Sequence, residues 1–127
     1  MAGKLVHARK SAPVMIKGRR DFFQYRDLEV TAASGGSMRA QIMSGSAGMT
    51  RPTGWHTHQC DGQFIYVLKG WVELEFADGG KRVIEAGDSM FIPGGLAHNE
   101  TRTSEEIEIL EVSLPADMGT VPCDAPT

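Results

Sequence analysis

The stretch WVELEFADGGKRVIEAGDSMFIP, residues 71–93, predicts a fold built from short β-strands. In residues 71–76 every second side chain is apolar, which is the period of a strand with one buried face. Residues 78–80 read Asp-Gly-Gly, a hairpin turn in which glycine accepts a positive φ, and residues 81–85 follow as the return strand. A second glycine turn then leads into a strand over residues 89–92, which Pro93 ends.

The same pattern of short strands and glycine turns extends outward in both directions. We expect strands over Gln63–Leu68 and Ile107–Leu114, the latter apolar on one side, and a hairpin of Phe22–Thr31 with Met38–Ser44 around the turn at residues 35–37. No long stripe of apolar residues at helical spacing is present. The chain therefore predicts an all-β sandwich or barrel, and its 15 glycines are explained as turns.

The length of 127 residues favours a single domain. A composition of 41% hydrophobic and 23% charged residues is that of a globular protein and excludes disorder and coiled coil. We divide the chain into a basic N-terminal arm (residues 1–20), the β-barrel domain (residues 21–114) and an irregular C-terminal tail (residues 115–127).

Charge is unevenly distributed along the chain. The net charge of −3 argues against nucleic acid as a partner, yet residues 1–20 hold six basic side chains and no acidic one. An organellar transit peptide and a solvated basic arm are both compatible with this composition. Our preferred hypothesis is that the arm lies against an acidic body, its own or that of a partner subunit.

No membrane segment is expected, because the longest apolar run, Phe64–Leu68, is far shorter than the roughly 20 residues of a membrane helix. The two cysteines, Cys60 and Cys123, lie far apart without the spacing of a redox or zinc motif. We therefore expect a cytoplasmic protein.

Three of the four histidines are candidates for one metal site. His56 and His58 are two residues apart, so on a strand both imidazoles point to the same side. His98, after the turn at Pro93, would complete a facial set of three nitrogens. The amide oxygen of Gln63 is a candidate for a fourth, weak ligand, or alternatively a hydrogen-bonding group behind the ligands. Taken alone, a His-x-His pair is at least as compatible with two ordinary structural histidines as with a metal site.

These residues resemble the two-motif pattern of the cupin superfamily, and the short spacer of residues 71–86 resembles its compact bacterial single-domain members. The first motif reads His56-x-His58-x₄-Gln63-x₆-Gly70, and the second reads Gly87-x₅-Pro93-x-Gly95-x₂-His98. The resemblance implies a double-stranded β-helix, or jelly-roll barrel, with a mononuclear divalent metal held by His56, His58, His98 and Gln63. Fe, Mn, Ni, Cu and Zn all tolerate such ligands.

Two positions depart from the family pattern. Gln63 stands where the family usually has a glutamate ligand, and Arg102 stands where an asparagine often ends the second motif. Neutral ligands leave a divalent ion its full +2 charge, so the site should favour anionic ligands and act as a strong Lewis acid.

The remaining candidate residues surround this site. Glu100, two residues after His98, is a candidate general base, or alternatively a carboxylate at the rim. Arg102 could clamp a substrate carboxylate, or form a surface ion pair with Glu105 or Glu106. We expect a small apolar pocket, lined by Ile65, Val67, Met90 and Ile92 together with Arg102.

The family resemblance implies a small metalloenzyme that binds a chelating anionic small molecule, an enolate or carboxylate. Its chemistry would be dioxygenase-type cleavage or a redox-neutral isomerase, cyclase or lyase reaction. The alternative is a non-catalytic cupin that binds or senses a small ligand. We expect a homodimer, formed through an outer strand face or by exchange of N-terminal strands, and no nucleic-acid or membrane partner.

Overall fold

The computed structural model describes residues 3–18 and 20–126. This part of the chain contains one short helix, α1 (Val30–Ala33), and eleven strands. The strands are β1 (Val14–Ile16), β2 (Gln24–Asp27), β3 (Arg39–Gly45), β4 (His56–Gln59), β5 (Gly62–Lys69), β6 (Trp71–Phe76), β7 (Lys81–Glu85), β8 (Ser89–Pro93), β9 (His98–Thr103), β10 (Ile107–Leu114) and β11 (Gly119–Pro122).

The strands form two antiparallel sheets that enclose one hydrophobic core, as predicted for a jelly-roll barrel. The six-stranded sheet has the order β1-β2-β3-β10-β5-β8, and the five-stranded sheet has the order β11-β4-β9-β6-β7. The largest fully buried side chains of the core include Val67, Leu74 and Ile107. In the described part of the chain, no helix is long and apolar enough to cross a membrane.

The alternation that predicted β6 and β7 is observed residue by residue. The two strands pair from Trp71 opposite Glu85 to Glu75 opposite Lys81, and the turn contains Gly79 and Gly80, both at positive φ. The alternate apolar residues of β6 face the core. The strand and its buried face could therefore be assigned from the sequence period alone.

The N-terminal hairpin differs from the prediction in its connection. β2 pairs with β3 as expected, but it ends at Asp27, and α1 lies between the two strands. The Asp27 carboxylate accepts a hydrogen bond from the Glu29 amide (3.1 Å), and Glu29 adopts a left-handed conformation with φ 65°. This local side-chain turn stops the strand four residues before its predicted end.

The prediction of an irregular tail is wrong for residues 119–122. β11 pairs antiparallel with β4, from Gly119 opposite Gln59 to Pro122 opposite His56. The edge of β4 offers unpaired backbone groups, and a following segment satisfies them. Similarly, β1, within the predicted arm, pairs with β2. Both sheets thus extend beyond residues 21–114.

Candidate metal centre

Three buried histidines converge between strands β4 and β9. His56 lies directly opposite His98 in the antiparallel pair, and His58 follows two residues later on the same side of β4. One ring nitrogen from each histidine lies within 4.8 Å of the other two. The strand period thus brings together the three side chains that the sequence pattern selected.

Hydrogen bonds orient each ring through its Nδ1 atom. His56 Nδ1 lies 2.7 Å from the Gly54 carbonyl oxygen, and His98 Nδ1 lies 3.0 Å from the Leu96 carbonyl oxygen. A carbonyl oxygen only accepts hydrogen bonds, so Nδ1 carries the hydrogen in both rings, and in the neutral ring the lone pair is on Nε2. His58 Nδ1 lies 3.1 Å from the Thr120 hydroxyl.

This donor set fits a divalent transition metal. Metal-binding histidines usually donate their second ring nitrogen to a carbonyl, carboxylate or water, which fixes the tautomer and the ring orientation. Two of the three rings have that arrangement to carbonyl oxygens, and the third uses a hydroxyl. The neighbouring rings are close, with centroids 4.4–5.0 Å apart, as expected for ligands that share one ion.

A cavity of about 230 Å³ lies beside this group. His58 and Glu100 line it from the five-stranded sheet, and Gln63 lines it from the six-stranded sheet. The remaining lining residues come from the N-terminal segment, from β2, β3 and β10, and from the segment before β11: Ile16, Lys17, Gly18, Arg20, Tyr25, Arg39, Gln41, Met43, Glu111 and Met118.

The inner face of the six-stranded sheet changes from polar to apolar with distance from the cavity. Three cross-strand rows, each with one residue from β3, β10 and β5, follow one another along the sheet. They are Arg39–Ser113–Gln63, then Gln41–Glu111–Ile65, then Met43–Ile109–Val67. The first two rows contribute most of their polar side chains to the cavity, whereas the third contributes only Met43 and otherwise lies in the core. One sheet thus both closes the barrel and supplies the polar wall of the site.

Most of the expected pocket residues lie elsewhere. Ile65, Val67 and Ile92 are core residues and are not among the residues that line the cavity beside His58. Met90 packs against the core and lines a different, smaller cavity. The parity predicted for β5 is nevertheless observed, since Gln63, Ile65 and Val67 point inward.

Arg102 lies on the outer surface because of a β-bulge. Counting by twos from His98 through Glu100 would place it inside the barrel. The pairing with β6 shifts by one residue, however, so that Leu74 is opposite Glu100 while Glu73 is opposite Arg102. One extra residue, Thr101, reverses the facing of all that follows, and the structure does not bring Arg102 to the cavity.

On the outer face, Arg102 pairs with Glu73 in a bidentate arrangement. Arg102 Nη2 donates to Glu73 Oε2 (2.9 Å), Arg102 Nε and the Thr101 hydroxyl donate to Oε1 (3.3 and 2.7 Å), and the guanidinium lies over the Trp71 ring. These hydrogen bonds, from Arg102 first and Thr101 second, lower the pKa of Glu73 to about 2. The predicted partners Glu105 and Glu106 are not involved.

Several cavity residues had not been singled out from the sequence. They are Arg39, Lys17 and the pair Gln41 and Glu111, which are joined by a hydrogen bond of 2.8 Å. Thr120, which contacts His58 Nδ1 from outside the cavity lining, had not been singled out either. One signal was available: the inward parity of β10 reads Ile107, Ile109, Glu111, Ser113, and a change from apolar to polar along one face marks where a core gives way to a site.

Comparisons with known proteins agree with this architecture. The sequence matches the family model for the cupin domain over residues 47–113. Comparison with curated proteins gives no significant match. Among solved structures, the polyketide cyclase RemF from Streptomyces resistomycificus is similar, with a TM-score of 0.76 and 20% identity over 95% of this chain and 87% of that one.

Two further structures share the fold. KdgF from Halomonas sp. has a TM-score of 0.65 and 20% identity, covering 80% of this chain and 87% of that one. The Fe(II) form of HppE has a TM-score of 0.68 and 17% identity, covering 87% of this chain and 60% of that one. At these identities the likeness concerns the fold, whereas the family match spans more than half of the sequence and includes both histidine motifs. The chain therefore belongs to the cupin domain family.

Proposed function

We propose that this protein is a mononuclear metalloenzyme in which His56, His58 and His98 hold a divalent transition metal and the adjoining cavity binds a chelating anionic small molecule. The observation that carries the proposal is the set of three buried imidazoles, each with Nδ1 held by an oxygen atom. A metal bound there would act as a Lewis acid on an enolate or carboxylate oxygen.

The charge of the ligand set supports an anionic substrate. Three neutral imidazoles, with or without the Gln63 amide oxygen, leave the ion its full +2 charge. A glutamate at position 63 would cancel one of those charges. Gln63 lines the cavity with His58, so its amide can also orient a bound ligand by donating through its NH₂ group.

Glu100 is the carboxylate we propose as the proton acceptor. It lines the same cavity as His58. Its backbone is fixed on both sides, since the Thr53 amide donates to the Glu100 carbonyl (2.9 Å) and the Glu100 amide donates to the Thr53 hydroxyl (3.0 Å). A carboxylate on this anchored backbone, in the cavity that His58 lines, could remove a proton from a carbon or oxygen acid, as an isomerase, cyclase or lyase reaction requires.

Metal content and oxygen uptake together test the proposal. Protein purified without added metal is analysed for metal per chain, and its oxygen uptake is measured with diketone, thiol and hydroxy-acid candidates. Near-stoichiometric metal with oxygen uptake supports the oxidative branch, and metal with turnover but no uptake supports the redox-neutral branch. Less than about a tenth of a metal per chain, unchanged in His98→Ala, would overturn the metalloenzyme. Stoichiometric metal with binding but no turnover would indicate a non-catalytic ligand-binding cupin.

The Gln63→Glu variant tests the charge argument. If the neutral ligand set favours anions, the added carboxylate lowers affinity for anionic chelators by about tenfold or more and leaves metal binding intact. Equal affinity in both proteins would contradict the role assigned to the neutral amide.

We further propose that the protein is a homodimer assembled through the outer face of the six-stranded sheet. This face carries apolar side chains on four adjacent strands: Ile42 from β3, Leu110, Val112 and Leu114 from β10, Phe64, Tyr66 and Leu68 from β5, and Phe91 from β8. Phe91 is 57% exposed and Leu68 is 44% exposed. A continuous apolar face of this kind is typical of an interface, and two copies can meet on it symmetrically.

A further inference from the structure

Residues 16–18 and Arg20, near the N-terminus, form one side of the cavity beside the histidines. Ile16, Lys17, Gly18 and Arg20 line it, although they lie far in sequence from both histidine motifs. Ile16 is the last residue of β1, which pairs with β2 at the edge of the six-stranded sheet. The basic arm is thus, at its end, a wall of the candidate active site.

Two contacts hold this segment in place. A Cβ at Gly18 would overlap the Tyr25 ring, so glycine is what allows the backbone to lie directly on that buried aromatic side chain. Arg20 Nη2 donates to the Thr53 carbonyl oxygen (3.1 Å), and Thr53 is itself hydrogen-bonded to Glu100 of β9. The segment is therefore linked both to the wall of the cavity and to the strand of the histidine site.

Three cationic side chains of the cavity form no ion pair within the described residues. Lys17, Arg20 and Arg39 line the cavity, and no described carboxylate lies within ion-pair distance of any of the three. Arg20 Nε is buried and has no hydrogen-bond partner in the described part of the chain. A buried donor without an acceptor is costly unless a ligand supplies one.

Two carboxylates share the cavity but leave the balance positive. Glu111 accepts a hydrogen bond from Gln41, and Glu100 lies beside the histidines on β9. Among the described lining residues, three cations stand against two carboxylates. Next to the proposed metal, held by neutral imidazoles, this balance favours a ligand with more than one negative charge.

We propose that Lys17, Arg20 and Arg39 form an anion subsite that receives a second carboxylate of the substrate, at the end remote from the group that chelates the metal. The substrate class is therefore a small dicarboxylate whose one end is a chelating oxyanion. For the chelating end of the substrate, this inference rests on the proposed function. The second carboxylate is the part that goes beyond that function. The cavity of about 230 Å³ is smaller than the roughly 300–1,000 Å³ of sites for drug-sized ligands, which suits such a compact molecule.

A matched pair of probes separates the two ends. The keto acids 2-oxoglutarate and 2-oxovalerate share the chelating group and the five-carbon chain, and only the first has a second carboxylate. We expect the metal-loaded protein to bind 2-oxoglutarate at least about tenfold more tightly, because hydrogen bonds to charged groups are the strong ones. Binding is measured by titration calorimetry, which requires no turnover.

Variants assign the preference to the subsite. Arg20→Gln and Lys17→Gln should each reduce the preference for the dicarboxylate without changing affinity for 2-oxovalerate or metal content. Lys10→Gln, which removes an exposed cation of the same arm, is the control and should retain the preference. Lys17 is exposed and makes no described hydrogen bond, so its variant tests the subsite even if Arg20→Gln disturbs folding.

The outcomes for the subsite and for the metalloenzyme are distinguishable. Equal affinity for the two keto acids, or a preference unchanged in both variants, would overturn the subsite and leave the proposed function standing. A metal-free protein that still prefers glutarate over valerate would support the subsite independently of the metal. Failure of the metal-loaded protein to bind either keto acid, with glutarate still bound by metal-free protein, would count against the chelating role alone.

Discussion

The two sheets of the barrel differ on both of their faces. The outer face of the five-stranded sheet carries the Glu73–Arg102 pair and charged neighbours, whereas the outer face of the six-stranded sheet is apolar across four strands. Inside, the five-stranded sheet supplies all three histidines, and the six-stranded sheet supplies Gln63, Gln41 and Arg39. One sheet therefore carries the candidate metal ligands and a charged outer face, and the other lines the cavity and carries the proposed interface.

The largest effect is expected for the histidine wall. His98→Ala removes a direct ligand, so metal affinity should fall by more than the 10- to 100-fold that is typical of outer-shell partners. Metal per chain after dialysis, measured by mass spectrometry, checks this. His7→Ala, on the exposed part of the arm, should retain full metal content. Equal metal in wild type and His98→Ala would show that the ion is bound elsewhere.

The outer faces should respond differently to the same substitution. Tyr66→Glu places a charge in the centre of the apolar face and should raise the dimer dissociation constant by about 30-fold or more, the effect of losing a strong interface contact. Val83→Glu, on the outer face of the five-stranded sheet and 50% exposed, is the matched control and should leave the mass in solution unchanged. Analytical ultracentrifugation of both variants decides between the faces. If the wild-type protein is a monomer in solution, the proposed dimer interface on the six-stranded sheet is wrong.

A smaller loss of metal affinity is expected when the hydrogen-bond partner of His58 is changed. Thr120→Val removes the oxygen that contacts His58 Nδ1 (3.1 Å) and should lower metal affinity by about tenfold. Thr120→Ser keeps the hydroxyl and should restore it. A competition titration with a coloured chelator measures the difference, and identical affinities in the two variants would mean that the hydroxyl does not orient the ring.

The smallest effect concerns the pH dependence of the charged outer face. The pKa of Glu73 is lowered to about 2, from an ordinary value of 4.5, by hydrogen bonds from Arg102 and Thr101. Because the folded-state pKa lies below the unfolded one, the stabilisation is present above about pH 4.5 and is lost as the pH falls toward 2. Glu73→Gln should therefore lower the melting temperature by a few degrees at neutral pH, and the gap should close on acidification. A gap independent of pH would show that the carboxylate charge is not involved.

Sequence period was sufficient wherever one face of a strand is uniformly buried. β6 was predicted because its apolar residues recur every second position. β7 was predicted because it follows the turn of residues 78–80, and the inward parity of β5 was predicted from the placement of Gln63. The histidine cluster was predictable for the same reason, since the His56–His58 spacing and the second motif determine where the rings point.

Period was misleading where a single residue changes the register or where both faces are apolar. The extra residue at Thr101 turns Arg102 outward, and no local signal in the sequence marks that bulge. In β10 the more apolar parity, Leu110 to Leu114, lies outside, and the parity that ends in Glu111 and Ser113 lies inside. The cavity wall from residues 16–18 and Arg20 could not be predicted because it depends on tertiary contacts with Tyr25 and Thr53.

The pairing of β11 with β4 also bears on when the proposed metal site is completed during folding. The contact between His58 and Thr120 spans 62 residues, and loops of that length close late because their entropy must be lost before the contact stabilises anything. The hairpin of β6 and β7, in contrast, closes within a few residues. We therefore expect the barrel to collapse before His58 is oriented, so that loading of the proposed metal follows folding instead of nucleating it.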